Sequence, residues 1–135
     1  MDVKLEVRSD YVLATFNGPL SLPRLHQALN ESIDAAADSG LNLILFDWSG
    51  VEGILSTQQR LELGKIGAVR ILSRTWKQPP RIAVVGPFPA LNGLAATVAS
   101  NRGFSARTFP KEQQALDWLG IAPRTNDDIK PGTHN

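Results

Sequence analysis

The sequence predicts an α/β domain with a mixed sheet of about five strands and four helices, in the order ββαβαβαβα. Three observations carry this. The N-terminal segment alternates aliphatic and charged residues with period two. From residue 21 onward, apolar stripes at helical spacing alternate with short aliphatic runs. The run Leu41 to Phe46 is apolar except for Asn42, as expected of an interior strand covered on both faces. An opening hairpin makes the first pair antiparallel, and helical crossovers make the later strands parallel and right-handed.

Each element follows from local pattern. Val3, Leu5 and Val7 alternate with Lys4, Glu6 and Arg8, which marks an edge strand with one wet face. Ser9 and Asp10 supply the turn, and Tyr11 to Phe16 returns as the second strand, stopped by Asn17-Gly18-Pro19. Ser21 is a suitable N-cap for a helix whose stripe is Leu22, Leu25, Leu29, Ile33 and Ala36, with Pro23 in the first turn and Gly40 as its stop. Beyond the strand Leu41 to Phe46, Ser56 to Trp76 reads as a second helix and Arg81 to Val85 as a fourth strand ended by Gly86-Pro87. Ala90 to Asn101 reads as a third helix, Phe104 to Phe109 as a fifth strand and Lys111 to Leu119 as a fourth helix stopped by Gly120. Residues 1–120 form one domain in this reading. The stretch 121–135, nearly without apolar residues, is expected to be a disordered tail.

Composition narrows the function. With 135 residues and 42% hydrophobic content, the chain can bury the core of one domain but not of two. Fourteen basic against thirteen acidic residues leave a formal charge of +1, which marks no surface for nucleic acid or anionic lipid. The absence of cysteine excludes disulfides, thiolate metal sites and a cysteine nucleophile, and suits a reducing compartment. No apolar run approaches the roughly 18 residues of a membrane span, and the N-terminus has no apolar signal core, so a cytoplasmic protein is expected.

Catalysis is hard to assemble. His26 is the only histidine before the tail and has no evident serine partner, no metal-ligand spacing exists, and Asp47, Glu52 and Asp117 form no recognisable set. No catalytic residue, metal or cofactor is therefore assigned. Gly50 with Gly53 does not make a phosphate-binding fingerprint. A binding surface is easier to place. Winding Ser56 to Trp76 at 100 degrees per residue puts Leu61, Gly64, Ala68, Ile71, Leu72 and Thr75 toward the sheet, with Lys65 snorkelling beside them. Glu62, Arg70, Ser73 and Arg74 then face water. Leu63 and Ile66 fall among them, two aliphatic residues ringed by arginines that read as a contact patch for another protein or a second copy. Isolated exposed aliphatics are the ordinary alternative. Trp48 and Phe88, near the strand ends, are candidates for lining an apolar ligand pocket, while Trp76 suits core packing.

The central segment narrows this further. Asp47-Trp48-Ser49-Gly50-Val51, two residues, then Ile54-Leu55-Ser56-Thr57 resembles the segment Asp-Leu-Ser-Gly-Val-x-x-Ile-Asp-Ser-Ser-Gly of STAS domains, including the anti-sigma factor antagonists. Asn17-Gly18-Pro19-Leu20 is similar to the family's Gly-x-Leu junction. The closing segment Phe109 to Gly120 is similar to the end of the divergent SpoIIAA-like branch, with its Ala-x-x-Trp-Leu helix. The resemblance covers about residues 3–120 and implies a STAS/SpoIIAA-like fold. It also implies a bacterial, non-enzymatic regulator whose partner is an anti-sigma factor-like kinase. By motif position the candidate phosphoacceptor is Ser56, with Thr57 beside it. Asp47, Trp48 and Ser49 of the motif, together with Leu63, Ile66 and Arg70 from the helical winding, make the expected partner-binding set. Leu55 stands where the family has Asp, and Gln58 where it has Gly. Ser56 with Gln59 also reads as a plain capping box, a structural role without signalling. The divergent branch resembles lipid-binding SEC14-type domains, which would make the chain a carrier or sensor of a small apolar ligand.

Overall fold

The structure, a computed structural model, describes residues 1–86 and 104–121. Within them the chain forms β1 (Asp2–Val7), β2 (Val12–Pro19), α1 (Leu22–Asp38), β3 (Leu43–Glu52), α2 (Thr57–Leu72), β4 (Arg81–Val85), β5 (Ser105–Phe109) and α3 (Glu112–Leu119). The five strands make one sheet in sequence order. β1 and β2 are antiparallel, and β2 to β5 run parallel. This is the mixed sheet expected. The helix expected over Ala90 to Asn101 and residue Phe88 lie outside the described residues, as does the expected tail 121–135 apart from Ile121, which is 8% exposed and packs in the core.

Strand alternation divides the apolar residues between two layers. Val12, Ala14 and Phe16 of β2, Ile44, Phe46 and Trp48 of β3, and Ile82 of β4 point to the face covered by α1 and α2. There they pack with Leu25, Ala28, Ile33, Ala36, Ala68 and Ile71. Tyr11, Leu13, Leu45, Ala83 and Val85 belong to the opposite layer, where Ala115, Leu116 and Leu119 of α3 cover them. β3 is thus buried on both sides, which is why Leu43 to Phe46 carries almost no polar residue. Among the described residues one polar residue is wholly buried in the core: Ser32 satisfies its hydroxyl by donating to the Ala28 carbonyl one turn back, at 2.7 Å.

Two expectations are corrected. β3 does not end at Phe46 but continues through Asp47-Trp48-Ser49-Gly50 to Glu52, because β2 itself runs on to Pro19 and stays paired with it. After an irregularity between Thr15 and Asn17 the parallel register resumes with Asn17 opposite Gly50 and Pro19 opposite Glu52. Gly50 makes this close pass workable, since a Cβ there would lie 1.9 Å from Asn17 Oδ1 and 3.1 Å from the Phe16 carbonyl oxygen. The second correction concerns α2, which ends at Leu72 and is turned relative to the expected winding. Gly67, Ala68 and Ile71 are its buried residues, while Leu72 is 58% exposed and Lys65 stands in solvent. Gly67 faces Leu29 of α1, a Cβ built on it lying 3.5 Å from Leu29 Cδ2, so small residues let α2 settle toward α1.

Candidate functional site

The parallel strands β2 and β3 both deliver the chain to one end of the sheet, and α1 and α2 both begin there. α/β folds commonly place binding sites at this end. The connection from β3 to α2 is short: Gly53, Ile54, Leu55 and Ser56. Gly53 has φ of +123°, a conformation that a side chain resists, and it turns the chain sharply away from the strand. The turn sends two adjacent aliphatic residues in opposite directions. Leu55 is 1% exposed and joins the core, whereas Ile54 is 84% exposed.

Ser56 caps α2 in a closed, reciprocal arrangement. Its hydroxyl oxygen accepts from the Gln59 backbone N–H at 3.1 Å, and the Gln59 side-chain oxygen accepts from the Ser56 N–H at 2.8 Å. This is the capping box that the spacing predicts. Arg60 braces the same turn from below, donating to the Leu55 carbonyl at 2.7 Å and to the Thr57 hydroxyl at 3.1 Å. Ser56 and Thr57 are both exposed. Ser56 lies in a shallow groove shared with Leu22 and His26 of α1 and with Gln58, Gln59 and Glu62 of α2.

Because Asp47, Trp48 and Ser49 lie on β3 rather than in a loop, alternation divides them between faces. Trp48 is 7% exposed and packs on Phe16, ring centroids 5.7 Å apart, inside the α1/α2 layer. Asp47 and Ser49 point to the other face, where the Asp47 carboxylate accepts from the Ser49 N–H at 3.0 Å and from the Ser49 hydroxyl. Strand geometry therefore removes Trp48 from the outer surface and leaves Asp47 and Ser49 bonded to each other.

The patch expected on α2 is also rearranged. Leu63 turns inward and packs against the core, because the small residues Gly64, Gly67 and Ala68 bring that side of α2 down onto α1 and the sheet. Ile66 is half-buried beside Asn30, Lys65, Val69, Arg70 and Ser73. Arg70 is committed to α1: its Nε donates to Asp34 Oδ1 at 2.8 Å and its Nη2 to the other oxygen of that carboxylate. Arg74 adds a bond to Asp34 at 3.2 Å and pairs with Asp38. The hydrogen bond from Arg70 holds the Asp34 carboxyl below its usual range. The charges of Arg70 and Arg74 act the same way, against a partial desolvation that pulls it up. Around the β3–α2 connection and α2 the exposed aliphatics are Ile54, Val69 at 68% and Leu72 at 58%; Leu5 and Val7 are exposed on β1. Sequence winding missed Val69, and its signal was the adjacent Gly67-Ala68 pair, whose inward setting forces the next residue out.

Between α2 and the sheet lies an apolar cavity of about 100 Å³. Phe16, Phe46 and Trp48 form its floor, Leu63 and Gly67 its helical wall, and Arg60 is the charged residue on its lining. Among the described residues no group of three His, Asp or Glu side chains is placed to hold a metal ion, and no helix is long and apolar enough to cross a membrane.

No family model and no curated protein matches this chain. Solved structures do. An anti-sigma factor antagonist from Mycobacterium paratuberculosis superposes with a TM-score of 0.54 at 20% identity, over 88% of this chain and 93% of that one. The anti-sigma factor antagonist SpoIIAA in its unphosphorylated form superposes with a TM-score of 0.50 at 17% identity, over 90% of this chain and all of that one. The fold is STAS-like, as the strand-loop-helix motif implied.

Proposed function

Taking the STAS-like fold as premise, we propose that this chain is a non-enzymatic regulatory module that binds a protein partner through the β3–α2 connection and the outer side of α2. The observation that carries the reading is Ile54, which is 84% exposed two residues before the cap of α2. A large aliphatic side chain held in water by the turn at Gly53 contributes nothing to this fold, but it is suited to filling a partner's pocket. Val69 extends the apolar surface along α2, and Ser56 and Thr57 place two accessible hydroxyls between the two. The two solved structures are of anti-sigma factor antagonists, one described in its unphosphorylated form. The partner proposed here is accordingly an anti-sigma factor-like kinase, with Ser56 or Thr57 as its phosphoacceptor. A phosphate at Ser56 would sit at a helix N-terminus, where negative charge is favoured by about 0.3 to 1 kcal/mol. Asp47 and Ser49 extend the proposed surface around the strand end.

The test uses affinity-tagged wild-type protein and the Ile54→Asp variant expressed in the native host. Recovered partners are quantified and phosphosites mapped by mass spectrometry. The reading expects a kinase-type partner with wild type, a loss of about tenfold or more with Ile54→Asp, and phosphate at residue 56 or 57. Equal recovery with both proteins and no phosphate at either position would overturn it.

The apolar cavity favours a second reading, a carrier or sensor of a small apolar molecule, with Trp48 on the cavity floor. Native mass spectrometry of freshly purified protein separates the two readings. A small molecule retained by wild type and lost with Trp48→Ala supports the carrier, and a ligand-free mass excludes it.

A further inference from the structure

The N-terminal strand carries a pattern that the proposed function does not use. From Asp2 to Arg8 the sequence reads Asp-Val-Lys-Leu-Glu-Val-Arg, which is its own complement when reversed: acid meets base and valine meets valine about a centre at Leu5. β1 is also an edge, with β2 on one side and, among the described residues, no strand on the other. The Arg8 N–H donates to the Tyr11 carbonyl at 2.8 Å, so Arg8 and, by alternation along the ladder, Glu6, Lys4 and Asp2 turn their backbone groups to β2. Val3, Leu5 and Val7 turn theirs outward. Every hydrogen bond and ion pair that residues 2–8 make lies within the β1–β2 hairpin.

The side chains of the strand are only partly used by the fold. Leu5 and Val7 stand opposite Ala14 and Val12, on the face covered by α1 and α2, yet they are 39% and 53% exposed. On the other face Glu6 accepts from Arg8 at 3.0 Å and lies 3.9 Å from Lys4. Asp2 is exposed and enters none of the described ion pairs, and Arg8 Nε has no acceptor.

We infer that β1 is the interface with a second copy of this chain, the two strands pairing antiparallel about a twofold axis at Leu5. In this register the outward N–H and C=O groups of Val3, Leu5 and Val7 meet those of Val7, Leu5 and Val3 of the second copy. Lys4 comes opposite Glu6 and Asp2 opposite Arg8, each twice by symmetry, and the exposed aliphatic side chains cover one another. Sliding the pairing by two residues, the next shift that keeps the backbone in phase, sets Lys4 against Lys4 or Glu6 against Glu6. Like charges directly opposite are destabilising, so the pattern selects one register. The rival explanation is that the charges only guard an edge against pairing.

Sedimentation velocity on the whole chain without an N-terminal tag, across the micromolar range suited to a small interface, tests this. The expected result is a reversible dimer that weakens as salt rises. Lys4→Glu alone and Glu6→Lys alone should each weaken it about tenfold, because symmetry-related pairs turn repulsive. Mixing the two variants makes every pair opposite again and should restore the dimer. Because the chain has no cysteine, Leu5→Cys gives a second readout that does not depend on charge. The two copies of residue 5 would lie about 5.5 Å apart between Cα atoms and should form a disulfide under mild oxidation. Val7→Cys, whose copies would be separated by roughly 13 Å along the strands, should cross-link far more slowly. A monomer throughout, a dimer indifferent to Lys4→Glu and Glu6→Lys, no recovery on mixing, or equal cross-linking of the two cysteine variants would overturn the inference. Ile54→Asp should dimerise as wild type does, so this result stands or falls separately from the function proposed above.

Discussion

Leu55 and Ser56 are neighbours with opposite duties. Leu55 is among the largest fully buried side chains, at 1% exposure, in a connection whose other members reach solvent. It occupies the position where the motif it resembles has Asp, and a carboxylate in that apolar setting would be desolvated without a partner. The residue here anchors the connection to the core. Leu55→Ala should cost about 2 to 5 kcal/mol by urea denaturation, the range for a buried leucine whose cavity does not collapse. Ser56 is exposed, and its energetic role is the cap. Ser56→Ala should cost about 1 kcal/mol, while Ser56→Asp, which keeps an accepting oxygen, should stay within about 0.5 kcal/mol of wild type. Matched denaturation curves for the two would separate the cap from any role of the hydroxyl in signalling.

α1 and α2 are joined by a lateral clamp of Asp34 and Asp38 with Arg70 and Arg74. The carboxyl of Asp34 is depressed in the folded state, so its contribution is complete above the unfolded carboxylate value of about 3.9 and is lost as pH falls through the lower folded value. Asp34→Asn should therefore be less stable than wild type at neutral pH, and the gap should narrow in acid. Thermal melts at a series of pH values from about 6 to 2 check this, and a pH-independent gap would mean that the pair contributes nothing. This clamp was invisible in the sequence, where Arg70 and Arg74 read as a solvent face, because its partners lie 36 and 40 positions away. Elements set by local pattern were legible: β4 spans the residues expected, and the α1 stripe buries Leu25, Ile33 and Ala36. The far end of β3 was not, since Ser49-Gly50 reads as a turn until the long-range pairing with Asn17 to Pro19 is known. The rotation of α2 was hidden for a related reason. Glycine and alanine add little weight to an apolar stripe, yet close packing on Leu29 is what turned the helix. At the candidate site, Ser56 and Gln59 announced the capping box by spacing alone. Which of Ile54 and Leu55 faces inward depends on the backbone at Gly53, and two aliphatic neighbours give no sign of it.

Among the described residues, the sheet separates two apolar layers, with α1 and α2 on one face and α3 on the other. The tryptophans follow this partition. Trp48 is enclosed in the first layer against Phe16, and Trp118 lies half-buried in the second beneath Arg81. Trp76 closes the end of α2, donating its indole N–H to the Ile71 carbonyl at 2.8 Å. The α1/α2 layer thus holds Trp48 and Trp76, and the α3 layer Trp118. Emission from Trp48 should be blue-shifted and poorly reached by acrylamide, while Trp118, half-buried in the other layer, should be quenched more readily. Single-tryptophan variants retaining Trp48 or Trp118 would then show, without any attached label, whether the two sides of the sheet loosen together or in turn under mild denaturant. The same optical record would show whether a partner bound on the α1/α2 side is felt on the other.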